Sequence, residues 1–127
     1  MTDDSMEMLI GTGSAVSRDV DASLSHYVAG ENAERLGDRQ GAIEEYRRSV
    51  QYDPNNVPSL FRLAYNLDLV GESDESVSIY ERCCDAQPAH VSALMNLAIC
   101  YEDRGHFRKA EKCLRQILDT NPTNLRA

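Results

Sequence analysis

The sequence contains no tryptophan and only two phenylalanines, and aromatic residues fill 6% of its 127 positions. A chain so poor in large rings must fill its core with smaller side chains, and 42% of its residues are hydrophobic. A chain of this length is the size of one domain and buries roughly two-thirds of the surface that it exposes when unfolded. The composition therefore favours helices that pack closely through small residues.

Long apolar runs are also missing. No stretch approaches the ~20 apolar residues that a helix needs to cross a bilayer. The first ten residues, MTDDSMEMLI, are acidic where a secretory signal peptide is basic. These features predict a cytoplasmic protein with no membrane partner.

Positive charge is scarce, with 13 Lys and Arg against 21 Asp and Glu, which gives a net charge of −8. Half of that excess lies in residues 1–22, which carry −4. A protein of this charge repels nucleic acid and anionic membranes over most of its surface. We therefore expect basic or apolar partners, and no nucleic-acid partner for this segment.

Cysteine occurs four times, but never with the CxxC spacing of zinc and redox motifs. We expect Cys83, Cys84, Cys100 and Cys113 to be reduced and to pack as small apolar side chains, with a redox pair or a metal site as the alternatives. The three histidines have no sequence-local partner that suggests a catalytic triad or a zinc site. The sequence thus predicts no enzyme, no metal and no cofactor.

A regular repeat is what the sequence does contain. Proline and glycine recur at intervals of 34 residues, at Pro54, Pro88 and Pro122 and at Gly37, Gly71 and Gly105. Proline cannot continue a helix, and glycine suits the left-handed residue that follows one. The chain therefore divides into three units, 23–56, 57–90 and 91–124, and each unit contains two helical patterns joined by a polar turn. Asn56 and Asn124 are candidate N-caps, and Pro58 fits a first helical turn.

This helix–turn–helix period of 34 residues resembles the tetratricopeptide repeat (TPR) family. The first helices match through Leu60, Leu63, Ala64 and Leu67, through Leu94, Leu97, Ala98 and Tyr101, and more weakly through His26, Ala29, Gly30 and Ala33. The second helices match through Ala42, Tyr46, Ser49 and Pro54, through Ser76, Tyr80, Cys83 and Pro88, and through Ala110, Leu114, Ile117 and Pro122. The resemblance implies an all-α fold, a right-handed α-solenoid of three TPR repeats. Residues 1–22 would precede it as an acidic segment that is partly disordered or docked, and residues 125–127 would begin a further helix of a longer protein.

In TPR proteins, the first helix of each pair lines a concave groove through repeat positions 2, 5, 9, 12 and 13. On this sequence, those positions give an apolar and aromatic stripe beside an acidic rim that includes Glu34. The candidate binding residues are Tyr27, Glu31, Phe61, Tyr65, Asp68, Leu69, Met95, Ile99 and Glu102. The large apolar ones should be partly exposed, because they should not pack against the partner helix of their own repeat.

The resemblance implies a non-catalytic scaffold for protein–protein interaction. Exposed apolar patches rimmed by charge mark interaction sites. The partner would be a peptide segment with apolar anchors and at least one basic residue, held around Phe61 and Tyr65. The alternative is that superhelical curvature or a neighbouring segment covers the stripe.

One known use of the groove can be tested on the sequence. TPR domains that clamp the C-terminal carboxylate of chaperones use Lys, Asn and Arg at five places. This chain has Tyr27, Glu31, Arg62, Ser92 and Asn96 there. Only Arg62 is basic, and Glu31 would repel a carboxylate, so we expect no chaperone carboxylate clamp.

Other interpretations stay open. The protein could form a homodimer through an uncapped last repeat or through the apolar cluster of Met6, Met8, Leu9 and Ile10. The basic convex stripe of Arg108, Lys112 and Arg115 could contact phosphate, although a solvated face is the simpler hypothesis. The chain also looks similar to TPR segments that precede domains like the C-terminal domain of the bacterial RNA polymerase alpha subunit. Finally, TPR packing implies that Cys83 and Cys100 are neighbours.

Overall fold

The computed structural model describes residues 18–120, and this part of the chain forms six α-helices and no strand. The helices are α1 (Val20–Arg35), α2 (Arg39–Tyr52), α3 (Val57–Leu69), α4 (Ser73–Ala86), α5 (Val91–Asp103) and α6 (Phe107–Thr120). Each helix packs mainly against the helices before and after it in the chain. The predicted all-α array of helix pairs is confirmed. Between residues 18 and 120, every helix is too short or too polar to span a membrane.

Glycine ends the first helix of each pair. Gly37, Gly71 and Gly105 have φ values of 79°, 87° and 78°, a backbone conformation that disfavours any Cβ atom. The next residue then donates its N–H back into the last helical turn, as from Asp38 to the Ala33 carbonyl at 2.8 Å. This left-handed arrangement satisfies carbonyls that the helix end leaves free. The role predicted for Gly105 is therefore confirmed, and the other two glycines share it.

Local sequence also determines where the following helices begin. Asn56 is the N-cap of α3, and its side chain accepts the Ser59 N–H at 3.1 Å, as predicted. Pro58 lies in the first turn, where a missing N–H costs nothing. His90 caps α5 in the same way through Nδ1, a role that the sequence did not reveal. The predicted cap Asn124 lies outside the described residues.

The first helix begins earlier than the first 34-residue unit. Helix α1 starts at Val20, with Asp19 as its N-cap, although residues up to 22 were expected to precede the repeats. Arg18 Nε donates to Asp53 Oδ1 at 3.0 Å, and the Asp19 N–H donates to the Tyr52 carbonyl at 2.9 Å. These bonds hold the start of α1 against the end of α2. The apolar cluster predicted between residues 6 and 10 lies outside the described part of the chain.

A fully buried tyrosine organises the first repeat. Tyr46 of α2 packs its ring directly over Gly30 of α1, where an added Cβ would lie 2.5 Å from the ring. The Tyr46 hydroxyl is fixed at its far end, because it donates to Glu34 at 2.5 Å. The missing side chain of Gly30 makes room for the tyrosine ring.

Hydroxyl groups fill the junction between the first two repeats. Ser49 Oγ donates to the Ser23 carbonyl at 2.7 Å and lies 2.6 Å from Ser59 Oγ. Asn56 Nδ2 donates to Ser23 Oγ at 2.8 Å. The three serines are fully buried, but each has a hydrogen-bond partner, which offsets the cost of removing them from water. The small side chains let α1, α2 and α3 approach closely.

We expect Gly30→Ala to lower the free energy of unfolding by about 1 kcal/mol. Alanine gains about 1 kcal/mol over glycine in a helix, but forcing a methyl group into a packed core costs about 1–3 kcal/mol. Urea unfolding followed by circular dichroism measures the difference. Ser25→Ala, at an exposed site on the same helix, is the control and should not destabilise the protein. A Gly30→Ala protein at least as stable as the wild type would contradict the tight packing of Tyr46.

Candidate functional site

The nine predicted binding residues all lie on the first helices of the three pairs. Helix α1 carries Tyr27 and Glu31, α3 carries Phe61, Tyr65, Asp68 and Leu69, and α5 carries Met95, Ile99 and Glu102. Most of them are spaced three, four or seven residues apart, which places them on one side of each helix, and Leu69 lies beside Asp68 and one turn after Tyr65. We call this side the first-helix face.

Two clefts open on the first-helix face between α1 and α3. The larger, of about 500 Å³, is lined by Tyr27, Glu31, Glu34, Arg35 and Arg62. The smaller, of about 250 Å³, is lined by Glu34, Gly37, Arg39, Arg62 and Tyr65. The two clefts share one acidic and one basic residue. Several of the predicted residues therefore border open clefts. A pair of opposite charges lines both clefts and determines their polarity.

Glu34 and Arg62 form that pair. Arg62 Nε donates to Glu34 Oε1 at 3.2 Å, and Arg62 Nη2 donates to the other carboxylate oxygen. Tyr46 donates to the same carboxylate at 2.5 Å, and Asn66 Nδ2 does so at 2.9 Å. The Glu34 side chain is 16% exposed. Because four donors from three residues already satisfy it, Glu34 adds little free negative charge to the predicted acidic rim.

The protonation of this cluster follows from its geometry. Burial alone would raise the pKa of Glu34, but the hydrogen bonds from Arg62, Tyr46 and Asn66 outweigh burial and lower it below the ordinary value. Burial and the Glu34 carboxylate raise the pKa of Tyr46, so its hydroxyl keeps the donated proton. The Arg62 guanidinium also lies 4.8 Å above the Tyr65 ring, which favours the cation. At neutral pH the pair is charged and ties α1 to α3.

Two of the predicted aromatic residues pack their rings against other side chains of the protein. The Phe61 ring lies 6.0 Å from the Tyr80 ring and 5.1 Å from the His90 ring. The Tyr27 ring lies 5.9 Å from the Tyr46 ring. The expectation that these residues avoid the partner helix of their own repeat is therefore wrong for Phe61 and Tyr27. The physical reason is that the buried tyrosines of α2 and α4 reach the fifth position of the first helix in their own repeats, where ring–ring contact is favourable.

Four predicted residues remain as an exposed apolar surface. Tyr65 and Leu69 lie one turn apart on α3, and Met95 and Ile99 lie one turn apart on α5. Their exposed fractions are 38%, 52%, 39% and 49%, respectively. We call these four residues the groove patch. Since they stand on helices held by the core, they are exposed on a rigid surface.

Carboxylates surround the groove patch. Asp68, Glu102 and Asp103 are exposed, and Asp68 and Asp103 line one cleft of about 250 Å³ between the second and third repeats. Arg104 also lines that cleft, but its Nη2 donates to Asp74 at 2.7 Å, so the positive charge of Arg104 is already balanced. Negative potential therefore concentrates beside the groove patch, while Arg62 balances Glu34 between the first two repeats. Asp103 was not predicted as a site residue, although its thirteenth position in the repeat was the signal for it.

The cysteines lie mostly in or near the core. Cys83 and Cys113 are buried, Cys84 and Cys100 are half-buried, and all four are free thiols. Burial raises the pKa of Cys83 to about 11 and that of Cys84 to about 12, so both thiols are neutral. Cys84 and Cys113 line a common cleft of about 370 Å³. The neighbourhood of Cys83 and Cys100 stays a prediction.

The basic stripe of α6 is exposed and partly balanced by acidic residues. Arg115 Nη2 donates to Glu111 at 3.3 Å. Lys109 and Lys112 line the 370 Å³ cleft together with Glu81 and Asp85. This mixture of charges is typical of a solvated face, and phosphate contact stays a hypothesis.

Known proteins contain the same repeat. Models of the tetratricopeptide repeat match residues 23–56 and residues 70–127. Tetratricopeptide repeat protein 8 of Caenorhabditis elegans is 31% identical over 84 residues, which cover 66% of this chain and 17% of that protein. The photosystem I assembly protein Ycf3 of Prochlorococcus marinus subsp. pastoris is 29% identical over 94 residues, which cover 72% of this chain and 54% of Ycf3. The chain thus spans about half or less of the length of these relatives.

A solved structure shows the same fold. The first TPR of Spaghetti (RPAP3), bound to the HSP90 peptide SRMEEVD, superposes with a TM-score of 0.77 over 86% of each chain. Its sequence is 16% identical. The likeness therefore establishes the helical-repeat solenoid.

We expect Glu34→Gln to cost about 2 kcal/mol of stability at neutral pH, the usual worth of hydrogen bonds to a charged group. Because the pKa of Glu34 is lower in the folded than in the unfolded protein, its contribution is present above the ordinary value of 4.5. That contribution is lost as the pH falls through the folded pKa. The variant should therefore lose less stability than the wild type on acidification, as measured by urea unfolding across the acid range.

Glu44→Gln is the matched control, since Glu44 is exposed on α2. Its curve of stability against pH should follow that of the wild type. Parallel curves for Glu34→Gln and the wild type would mean that the Glu34 carboxylate carries no pH-dependent stability.

Proposed function

We propose that this chain, which belongs to the tetratricopeptide repeat family, is a non-catalytic interaction module that holds a segment of a partner protein against the groove patch. The observation that carries the proposal is the groove patch itself, four large apolar side chains exposed on two rigid helices. Covering such a surface gains about 25 cal/mol for each Å² of apolar area removed from water. Ycf3 is by name an assembly protein, and the TPR of RPAP3 holds a peptide, which supports a role in protein interaction.

Charge selects the partner. The three carboxylates beside the groove patch, Asp68, Glu102 and Asp103, are exposed and would repel an acidic segment. A Lys or Arg next to the apolar anchors would instead lie in the negative potential between the second and third repeats. The partner segment therefore has at least two apolar anchors and at least one basic residue.

The proposed anchors lie closer to the third repeat than the sequence predicted. Phe61 was expected to be a central anchor, but its contacts with Tyr80 and His90 make it part of the packing between helices. Tyr65 keeps its role because it is exposed. We therefore propose Met95 and Ile99 of α5 as the other contacts, with the binding surface on the second and third repeats.

A chaperone-type acidic tail fits this groove poorly. Of the five places that a carboxylate clamp uses, Arg62 is engaged by Glu34, and Asn96 Nδ2 donates to the Tyr80 hydroxyl at 3.1 Å. Glu31 lies in the larger cleft and adds a negative charge. The peptide SRMEEVD carries three acidic side chains besides its terminus. We therefore expect it to bind far more weakly than a basic, apolar segment.

The probe for this proposal is a random 12-residue peptide library selected on the immobilised protein. Enriched peptides should contain apolar residues with Lys or Arg and should be depleted of Asp and Glu. Fluorescence anisotropy should then give a Kd of about 10 μM for an enriched peptide. The double variant Tyr65→Ala/Met95→Ala should weaken binding at least about tenfold, since truncating an anchor costs about 1–2 kcal/mol.

The control is a double variant outside the groove patch, Tyr52→Ala/Leu118→Ala, whose residues have similar size and are 43% and 46% exposed. It should bind as the wild type does, and SRMEEVD should not compete. Equal losses in both double variants, or enrichment of acidic peptides, would overturn the proposal.

A further inference from the structure

The last helix exposes positions that the same repeat buries elsewhere. Leu114 of α6 follows Tyr80 by 34 residues and Tyr46 by 68. The two tyrosines are 1% and 0% exposed, whereas Leu114 is 40% exposed. Each tyrosine has a following repeat beside it, and within the described residues α6 has none. The difference is therefore in the neighbour and not in the residue type, since all three side chains are large and apolar.

Leu118 behaves in the same way, and Phe107 lies at a position that contacts the following repeat in the first repeat, although the position is exposed in all three repeats. Leu118 is 46% exposed, while Val50, its equivalent in the first repeat, is buried. Phe107 is 67% exposed, and its equivalent Arg39 bonds to Asn66 of the following repeat at 2.7 Å. We call Phe107, Leu114 and Leu118 the C-terminal face.

The first helix has a matching surface. Val28 of α1 is equivalent to Arg62 and Asn96, and both of these contact the preceding repeat, through Glu34 and Tyr80 respectively. Val28 is exposed and continues a stripe with Val20 and Leu24, spaced four residues apart. We call Val20, Leu24 and Val28 the N-terminal face.

We propose that a second copy of this chain docks its N-terminal face on the C-terminal face, so that the solenoid continues head to tail from one molecule into the next. The internal junction supplies the register. Asn96 contacts Tyr80 there, so the equivalent Val28 of one copy would contact Leu114 of the other. An apolar side chain stands on each side of this contact, and both are exposed in the single chain.

Charge identifies the occupant as α1 of another copy. Helix α6 contains four basic residues and two acidic ones: Arg108, Lys109, Lys112 and Arg115, with Glu111 and Asp119. Helix α1 with its cap contains three acidic residues besides Glu34, which Arg62 already balances, and one basic residue: Asp19, Asp21 and Glu31, with Arg35. The two end helices thus attract each other, whereas pairing like ends would bring together helices of the same sign.

The two faces differ, so the contact is heterologous, and growth stops only if the rotation closes a ring. The groove patch lies on other positions of α3 and α5 and stays open when the ends dock. Assembly would therefore lengthen the first-helix face by three helix pairs for each added copy. This inference goes beyond peptide capture and does not depend on it.

Sedimentation velocity across a range of protein concentrations, from about 10 μM to about 1 mM, tests the proposal. The average mass of the wild type should rise with concentration above the 14.2 kDa of one chain. Val28→Lys places a cation opposite the basic α6, and Leu114→Glu places an anion opposite the acidic α1. Each variant alone should stay monomeric. Ser78→Lys, at an exposed site on α4, is the control and should assemble as the wild type does.

Mixing the two end variants is the decisive step. Val28→Lys keeps an intact C-terminal face, and Leu114→Glu keeps an intact N-terminal face, so the two variants should associate in an equimolar mixture although neither associates alone. Circular dichroism checks that each variant is folded, and Phe107→Glu replaces Leu114→Glu if the latter unfolds.

Three results would overturn the proposal. The first is a wild type that is monomeric at every concentration, which includes the case in which residues 121–127 cover the C-terminal face. The second is a dimer whose mass does not change with concentration, which indicates a symmetric contact. The third is a mixture of end variants that stays monomeric although the wild type assembles.

Discussion

Stacking between neighbouring repeats is the constraint on which this structure depends. A pair of short helices cannot enclose its own apolar side chains, so each pair buries them against the next pair. Tyr46 and Tyr80 are fully buried because another repeat follows them, and Leu114 shows how exposed that position is when none is described beside it. The linear arrangement, the contacts between helices consecutive in the chain and the two exposed end faces all follow from this single requirement.

The two junctions between repeats have similar backbones but different side chains. Between the first and second repeats, buried serines and the Glu34–Arg62 pair make the contacts. Between the second and third repeats, Cys83 takes the place of Ser49 and Ala93 that of Ser59. Asn96, in the place of Arg62, donates to the Tyr80 hydroxyl and carries no charge. This difference leaves the negative charge beside α5 unbalanced, next to the exposed groove patch.

Much of the fold could be predicted from the sequence because it is local. Glycine adopts the left-handed conformation that follows a helix more easily than other residues do, so glycines at a fixed interval mark helix ends. Asn56 and Pro58 suit the start of a helix in the same local way. The site could be predicted only in outline. The Glu34 cluster joins residues from three helices, and its members are ordinary polar residues in the sequence. Phe61 illustrates the same difficulty, because a ring at the edge of the core can face solvent or a neighbour, and the position of Tyr80 decides between them.

A methyl-resolved NMR titration with a basic, apolar peptide selected from a library tests the central claim most directly. If the groove patch is the binding surface, the methyl signals of Leu69, Met95 and Ile99 should shift together as peptide is added. The signals of Leu24 and Leu118 on the end faces, and of the buried Ile79, should stay in place. Shifts that centre on the end faces, or that spread evenly over the core, would contradict the account.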